Sequence, residues 1–212
     1  MDINTLVSEE ERDILQEIMN IAFGEAAADL AEIINIFVVL SVPDIKILKS
    51  SELPNFIQDE FFGFGNISIV EQNFWGEFKG NALLVFPAGA GKELISILND
   101  GEESTFQSES SEILENETLM EVGNILIGAC VGKIAELLKD VISYSPPTVI
   151  FDDPPNVTMP KSLSNPDNSA IILKTVFCFN ERDVNGYLFL ITSDSSVVWL
   201  KKALAEFMKQ YE

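Results

Sequence analysis

Glu17-Ile18-Met19-Asn20 and Glu121-Val122-Gly123-Asn124 are the two stretches on which the reading of this chain turns. Each lies in a run with helical apolar spacing, and each is followed after 22 residues by a proline, Pro43 or Pro147. Glu17, Asn20, Gly24 and Pro43 therefore recur as Glu121, Asn124, Gly128 and Pro147, every one at an offset of 104. One such identity has a chance of roughly one in twenty from ordinary residue usage. Four in constant register, inside the same order of elements, indicate an internal duplication.

Working outward from the first copy, a helix is expected from Ser8 and Glu9 to about Asn35. Ser8 suits the N-cap, and Glu9, Glu10 and Glu11 fall where the helix dipole favours negative charge. Ile14, Ile18, Ile21, Ala22 and Leu30 supply the apolar face, and Gly24, Ala26, Ala27 and Ala28 leave room for close packing. Phe37 to Leu48, β-branched and interrupted by Pro43, reads as a strand whose proline sits at an edge, a bulge or its entry. Strands are expected at 61–72 and 75–87, with the turn near Asn73 and Phe74, and a helix at 89–99. Asn99 to Glu117, acidic and rich in serine, reads as a mobile linker.

The order then restarts. A long helix is expected at 111–140, a strand at 147–152, and a Pro-, Asn- and Ser-rich loop from Asp153 to Asn168. Strands at 169–180 and 185–192 and a helix at 193–211 complete it, the helix carrying Val197, Leu200, Leu204 and Phe207 on one face. The expected fold is α/β: a pseudo-twofold, duplicated helix–strand–strand–strand–helix unit with an antiparallel-rich sheet flanked by long helices. It forms one domain of two repeats, at about 8–100 and 111–211, because each half has too few strands to bury its own sheet.

Composition narrows the chemistry. In 212 residues, 13 basic against 34 acidic side chains give a formal charge of -21. That sign repels nucleic acid and anionic lipid, since phosphate binding needs Lys or Arg, and it favours a partner with basic residues. A solvated acidic surface accounts for the charge equally well. The chain has no histidine, which removes imidazole catalysis and His-based zinc sites. Cys130 and Cys178 sit among apolar neighbours and read as buried thiols. The N-terminus lacks a basic region with an apolar core, and no uninterrupted apolar stretch approaches a membrane span, so a cytoplasmic location is expected. Ala88-Gly89-Ala90-Gly91-Lys92-Glu93 follows a strand and opens a helix, but Phe86 stands where a phosphate loop needs its first glycine. Glu93 replaces the magnesium-binding Ser or Thr, and nucleotide binding is set aside.

A carboxylate and a carboxamide three apart project from one helix face. The carboxylate accepts from a cation; the carboxamide both donates and accepts, and so positions water without acting as a base. Phosphoryl transfer depends mainly on such positioning and on charge stabilisation. A single Glu-Asn pair is most often a solvated face. Asparagine is a mediocre helix former, however, and its mid-helix placement in two registered copies asks for a reason.

Asp13, Glu17, Asn20 and Pro43 have the spacing of the CheC/CheX/FliY phosphatase motif: Asp or Ser, three residues, Glu, two residues, Asn, 22 residues, Pro. The second copy matches from Glu121 onward but has Glu117 in place of Asp or Ser. Two complete pairs resemble CheC more than the single-motif CheX or the larger flagellar switch proteins. The resemblance implies a CheC-like fold and hydrolysis of the aspartyl phosphate on a CheY-like response-regulator receiver, in chemotaxis or related two-component signalling. It implies that Asn20 and Asn124 orient the attacking water and that Glu17 and Glu121 pair with the receiver's lysine. The magnesium belongs to the receiver, and this chain has no cofactor or metal of its own. Asp13, Glu117, Pro43 and Pro147 are supporting positions, the prolines shaping the strands. Pairing with a CheD-like deamidase is open under the same resemblance. The rival reading is a non-catalytic module that docks receivers or scaffolds other chemotaxis proteins.

Overall fold

A computed structural model describes residues 7–34, 37–49, 51–60, 66–98, 108–152, 169–179 and 184–209. The first half contains α1 (Glu9–Ile34), β1 (Val38–Leu40), β2 (Asp44–Lys49), α2 (Leu53–Glu60), β3 (Ile67–Trp75), β4 (Gly80–Pro87) and α3 (Ala90–Leu98). The second contains α4 (Ser108–Leu137), β5 (Ser143–Tyr144), β6 (Thr148–Asp152), β7 (Ser169–Phe179), β8 (Asn185–Ser193) and α5 (Asp194–Met208). The strands form one eight-stranded sheet whose pairings are all antiparallel.

The two halves exchange their leading strands. β1 and β2 pair with β7, whereas β5 and β6 pair with β3, and β4 pairs with β8 at the centre. Gly80 and Gly186 are counterparts there: each lets a strand pass a neighbouring carbonyl, of Ile191 or Val85, and the ring of Phe74 or Phe177. Any side chain at either glycine would occupy that space. The offset from Phe74 to Phe177 is 103 and that from Gly80 to Gly186 is 106, so the second hairpin is three residues longer. At the offset of 106 Leu83 corresponds to Phe189, and these two pair with each other, which puts the pseudo-twofold axis between them.

One face of the sheet is covered by α1, α3, α4 and α5, with Val70, Phe74, Phe86, Ile171, Leu173 and Phe177 buried beneath them. The helices are exchanged too: α4 packs on α3, and α5 on α1. An ion pair marks each of these contacts, Lys92 to Glu115 at 3.6 Å and Lys201 to Glu11 at 3.0 Å. Lys133 of α4 reaches Asp29 of α1 at 3.0 Å. On the opposite face Leu53 and Phe56 of α2 pack over Ile67, Ile69, Leu83, Val85, Ile172, Phe189 and Ile191.

The interruption expected at Pro43 divides 37–48 into β1 and β2 at residues 41–43, because Pro43 has no amide to donate and its carbonyl accepts from Gln16 Nε2 at 3.0 Å. Other expectations are corrected. The turn expected at Asn73 and Phe74 lies beyond Trp75, for Phe74 is wholly buried in β3. The turn forms where Gly76 lies against the Asp140 carboxylate, which accepts from the Phe78 amide at 2.8 Å. Helix α2 and strand β5 were not expected, and α4 begins at Ser108, inside the segment read as a linker. Residues 99–107 of that linker and the loop 153–168 lie outside the described residues. Gly24 does not mark close packing, since nothing approaches within 4 Å of the space its Cβ would fill. Glu112–Leu137, interrupted by Glu117, Glu121, Lys133 and Glu136, is long and apolar enough by length and composition to cross a bilayer, but that helix packs on α1, α3 and the sheet.

Candidate functional site

The first turn of α1 is closed by a capping box: Ser8 Oγ accepts from the Glu11 amide at 3.1 Å, and Glu11 Oε2 accepts from the Ser8 amide at 2.7 Å. With its start so set, the helix buries Leu15, Ile18, Met19, Ala22, Phe23, Ala26 and Leu30. Asp13, Glu17, Asn20 and Gly24 fall on the opposite, exposed side, at spacings of four, three and four, as one longitudinal stripe. On α4 burial of Leu119, Val122, Leu126, Ile127 and Cys130 leaves Glu117, Glu121 and Asn124 exposed in the matching stripe, with Gly128 half-buried. Both Glu-Asn pairs thus present a carboxylate and a carboxamide to solvent from a rigid, packed helix. Pro43 is buried against α1 through Gln16, while Pro147 is half-buried between β5 and β6.

The two sites differ in what lies beneath the asparagine. Among the described residues, Glu17, Asn20, Glu121, Asp13 and Glu117 take no side-chain hydrogen bond or ion pair. Asn124 does: its Oδ1 accepts from Gln72 Nε2 at 2.7 Å, and the same Nε2 donates to the Ser145 carbonyl at 2.9 Å. Gln72 is 1% exposed, on the face of β3 that also carries Val70 and Phe74. Its counterpart in β7, at the offset of 103, is Thr175, which turns to Ser41 and donates to the carbonyl there.

Sequence reading missed Gln72 and Ser145. The signal was a lone glutamine at a core-facing position of a strand, between Val70 and Phe74 on the same face. Gly123 explains the reach, because a Cβ there would stand 2.7 Å from Val70 Cγ1, so α4 lies hard against β3 beside Asn124. In α1 that position is held by the buried Met19.

Below the second site, burial pushes the Cys130 thiol up to about 12, so it stays protonated and inert. Burial, and then the neighbouring Cys130, raise the Tyr144 hydroxyl above its ordinary value. Among the described residues no three His, Cys, Asp or Glu side chains converge on a point where a metal could sit. The exposed stripes hold no hydroxyl or thiol nucleophile, only carboxylates, carboxamides and glycine. What they offer is an acceptor for a cation and an amide for placing water on a group brought by a partner.

The comparisons bear on these same segments. A model of the CheC-like family matches residues 10–47 and 114–151, two segments offset by the 104 residues that relate the Glu-Asn pairs. The chain is 27% identical over 154 residues to the Bacillus subtilis protein named CheY-P phosphatase CheC, covering 72% of this chain and 71% of that one. It is 24% identical over 171 residues to the flagellar motor switch phosphatase FliY of Bacillus subtilis, covering 81% of this chain but 43% of that protein. The crystal structure of Thermotoga maritima FliY shares its fold, with a TM-score of 0.70 at 21% identity, over 95% of this chain and 98% of that one. The segment that the CheC-like family model matches is thus present twice, once on each motif-bearing helix and the strands that follow it.

Proposed function

We propose that this protein hydrolyses the aspartyl phosphate of a CheY-like receiver domain in chemotaxis or related two-component signalling in the cytoplasm. The observation that carries the reading is the pair of exposed stripes, each presenting Glu and Asn three residues apart on a packed helix. The names of the relatives, CheY-P phosphatase and flagellar motor switch phosphatase, support the same reaction class. In this scheme the helix docks against the phosphorylated site, and Asn20 or Asn124 holds a water in line with the phosphorus. Glu17 or Glu121 accepts from the receiver's lysine and so fixes the helix over the phosphate. The magnesium that neutralises the phosphoryl oxygens comes with the receiver, and this chain contributes position rather than acid–base chemistry.

The test follows phosphate loss from a CheY-like receiver charged with acetyl phosphate in excess magnesium. Asn20→Ala and Asn124→Ala each leave one site. The double variant is expected to fold and to bind the receiver while phosphate loss falls to the receiver's own rate. A double variant as fast as the parent protein would sink the mechanism. A parent protein that binds the receiver without accelerating hydrolysis would instead establish the non-catalytic docking module.

A further inference from the structure

We propose that Gln72 is a positioning residue for Asn124, making the second site oriented in advance and leaving the first to orient on contact. The proposal rests on the phosphatase reading above. Its structural basis is a chain of donors and acceptors with a fixed direction. The Ser145 carbonyl can only accept, so it holds the Nε2 end of the Gln72 amide toward itself at 2.9 Å. The second hydrogen of that Nε2 then meets Asn124 at 2.7 Å and requires an oxygen there. Asn124 must therefore keep Oδ1 inward, and its Nδ2, with two donors, is directed away from the sheet. A water held by Nδ2 accepts one hydrogen bond and keeps a lone pair for attack.

Two further observations point the same way. Gln72 Oε1 is buried without a hydrogen-bond partner, so this amide carries an unmet acceptor that a hydrocarbon of similar shape would avoid. Gly123, with no Cβ to meet Val70, brings α4 close enough to β3 for the bond to form. Neither feature recurs at the first site, where Met19 and Thr175 hold the two counterpart positions and Thr175 is bonded to Ser41.

Gln72→Met keeps the volume and removes both donors. In the Asn20→Ala background, where only the second site works, kcat is expected to fall by roughly tenfold, the worth of one orienting hydrogen bond, with KM unchanged. In the Asn124→Ala background the same substitution is expected to leave the first site's rate as it was, and the melting transition is expected to hold or rise. Equal losses in both backgrounds would reduce Gln72 to a structural role, and no loss with Asn20→Ala would end the proposal. A second arm does not depend on catalysis. The side-chain amide resonances of Asn124 in nitrogen-15 spectra are expected to shift and exchange faster in Gln72→Met, while those of Asn20 stay put; an unmoved Asn124 signal would overturn the inference. If the Asn20/Asn124 double variant kept full activity, the phosphatase reading would fall while this arm still decided the orientation.

Discussion

Replacing Gly123 by alanine sets two known effects against each other. In a helix interior the change removes glycine's excess backbone entropy, a gain of about 1 kcal/mol. Against this, the new Cβ would stand 2.7 Å from Val70 Cγ1 and 3.0 Å from Val70 Cβ and Cγ2. Val70 is fully buried and branched at Cβ, so it has no alternative rotamer to adopt, and the helix must lift away from β3. Overpacking of this kind costs about 3 kcal/mol at its upper end, which leaves a net loss of about 2 kcal/mol. For a chain of this size that lowers the melting temperature by roughly 6 °C. Gly24 and Gly128 have nothing within 4 Å of their missing Cβ atoms, so alanine at either is expected to raise it by about 3 °C. Calorimetry on the three variants therefore reads opposite signs. Val70→Ala combined with Gly123→Ala should recover most of the loss, as a coupling of about 2 kcal/mol. A Gly123→Ala protein as stable as Gly128→Ala would refute the close approach of α4 to the sheet, and with it the account of how Asn124 meets Gln72.

Three more outcomes are expected. Asp140 accepts from the amides of Phe78 at 2.8 Å and Val141 at 2.8 Å, so Asp140→Ala should cost about 2 kcal/mol in urea unfolding and loosen the β3–β4 turn in hydrogen exchange. Cys130 is wholly buried while Cys178 is half-buried, so iodoacetamide should modify Cys178 in the folded protein and reach Cys130 only on unfolding. Partial burial raises the Glu11 carboxyl, but the Ser8 amide, the Lys201 ammonium and the Ser8 hydroxyl outweigh it and hold the group below its ordinary 4.5. The unfolded chain then binds this proton more readily, so the contribution is present above that value and is lost as pH falls through the lower folded pKa. Glu11→Gln should thus be less stable than the parent near pH 6 and converge with it in acid; parallel curves down to pH 3 (about one and a half units below the ordinary value) would count against the Ser8 and Lys201 contacts.

What the sequence determined by itself was the duplication and its consequences for the helices. A period of 104 carried by Glu17, Asn20, Gly24 and Pro43 is legible because helix spacing converts directly into a face, and both exposed stripes follow from it. The cap at Ser8 was legible for the same reason, being a local bond between residues three apart. Strand limits were less so: Asn73 resembles a turn residue, but tertiary burial of Phe74 and the pull of Asp140 on the next loop placed the turn after Trp75. Only the tertiary structure decided that each half lends its first strands to the other, since pairing between β2 and β7 spans more than a hundred residues with no local signature. The same long-range contacts separated the two sites. Gln72 meets Asn124 across 52 residues and Ser145 across 73, and a one-dimensional pattern holds no record of which side chain stands beneath another.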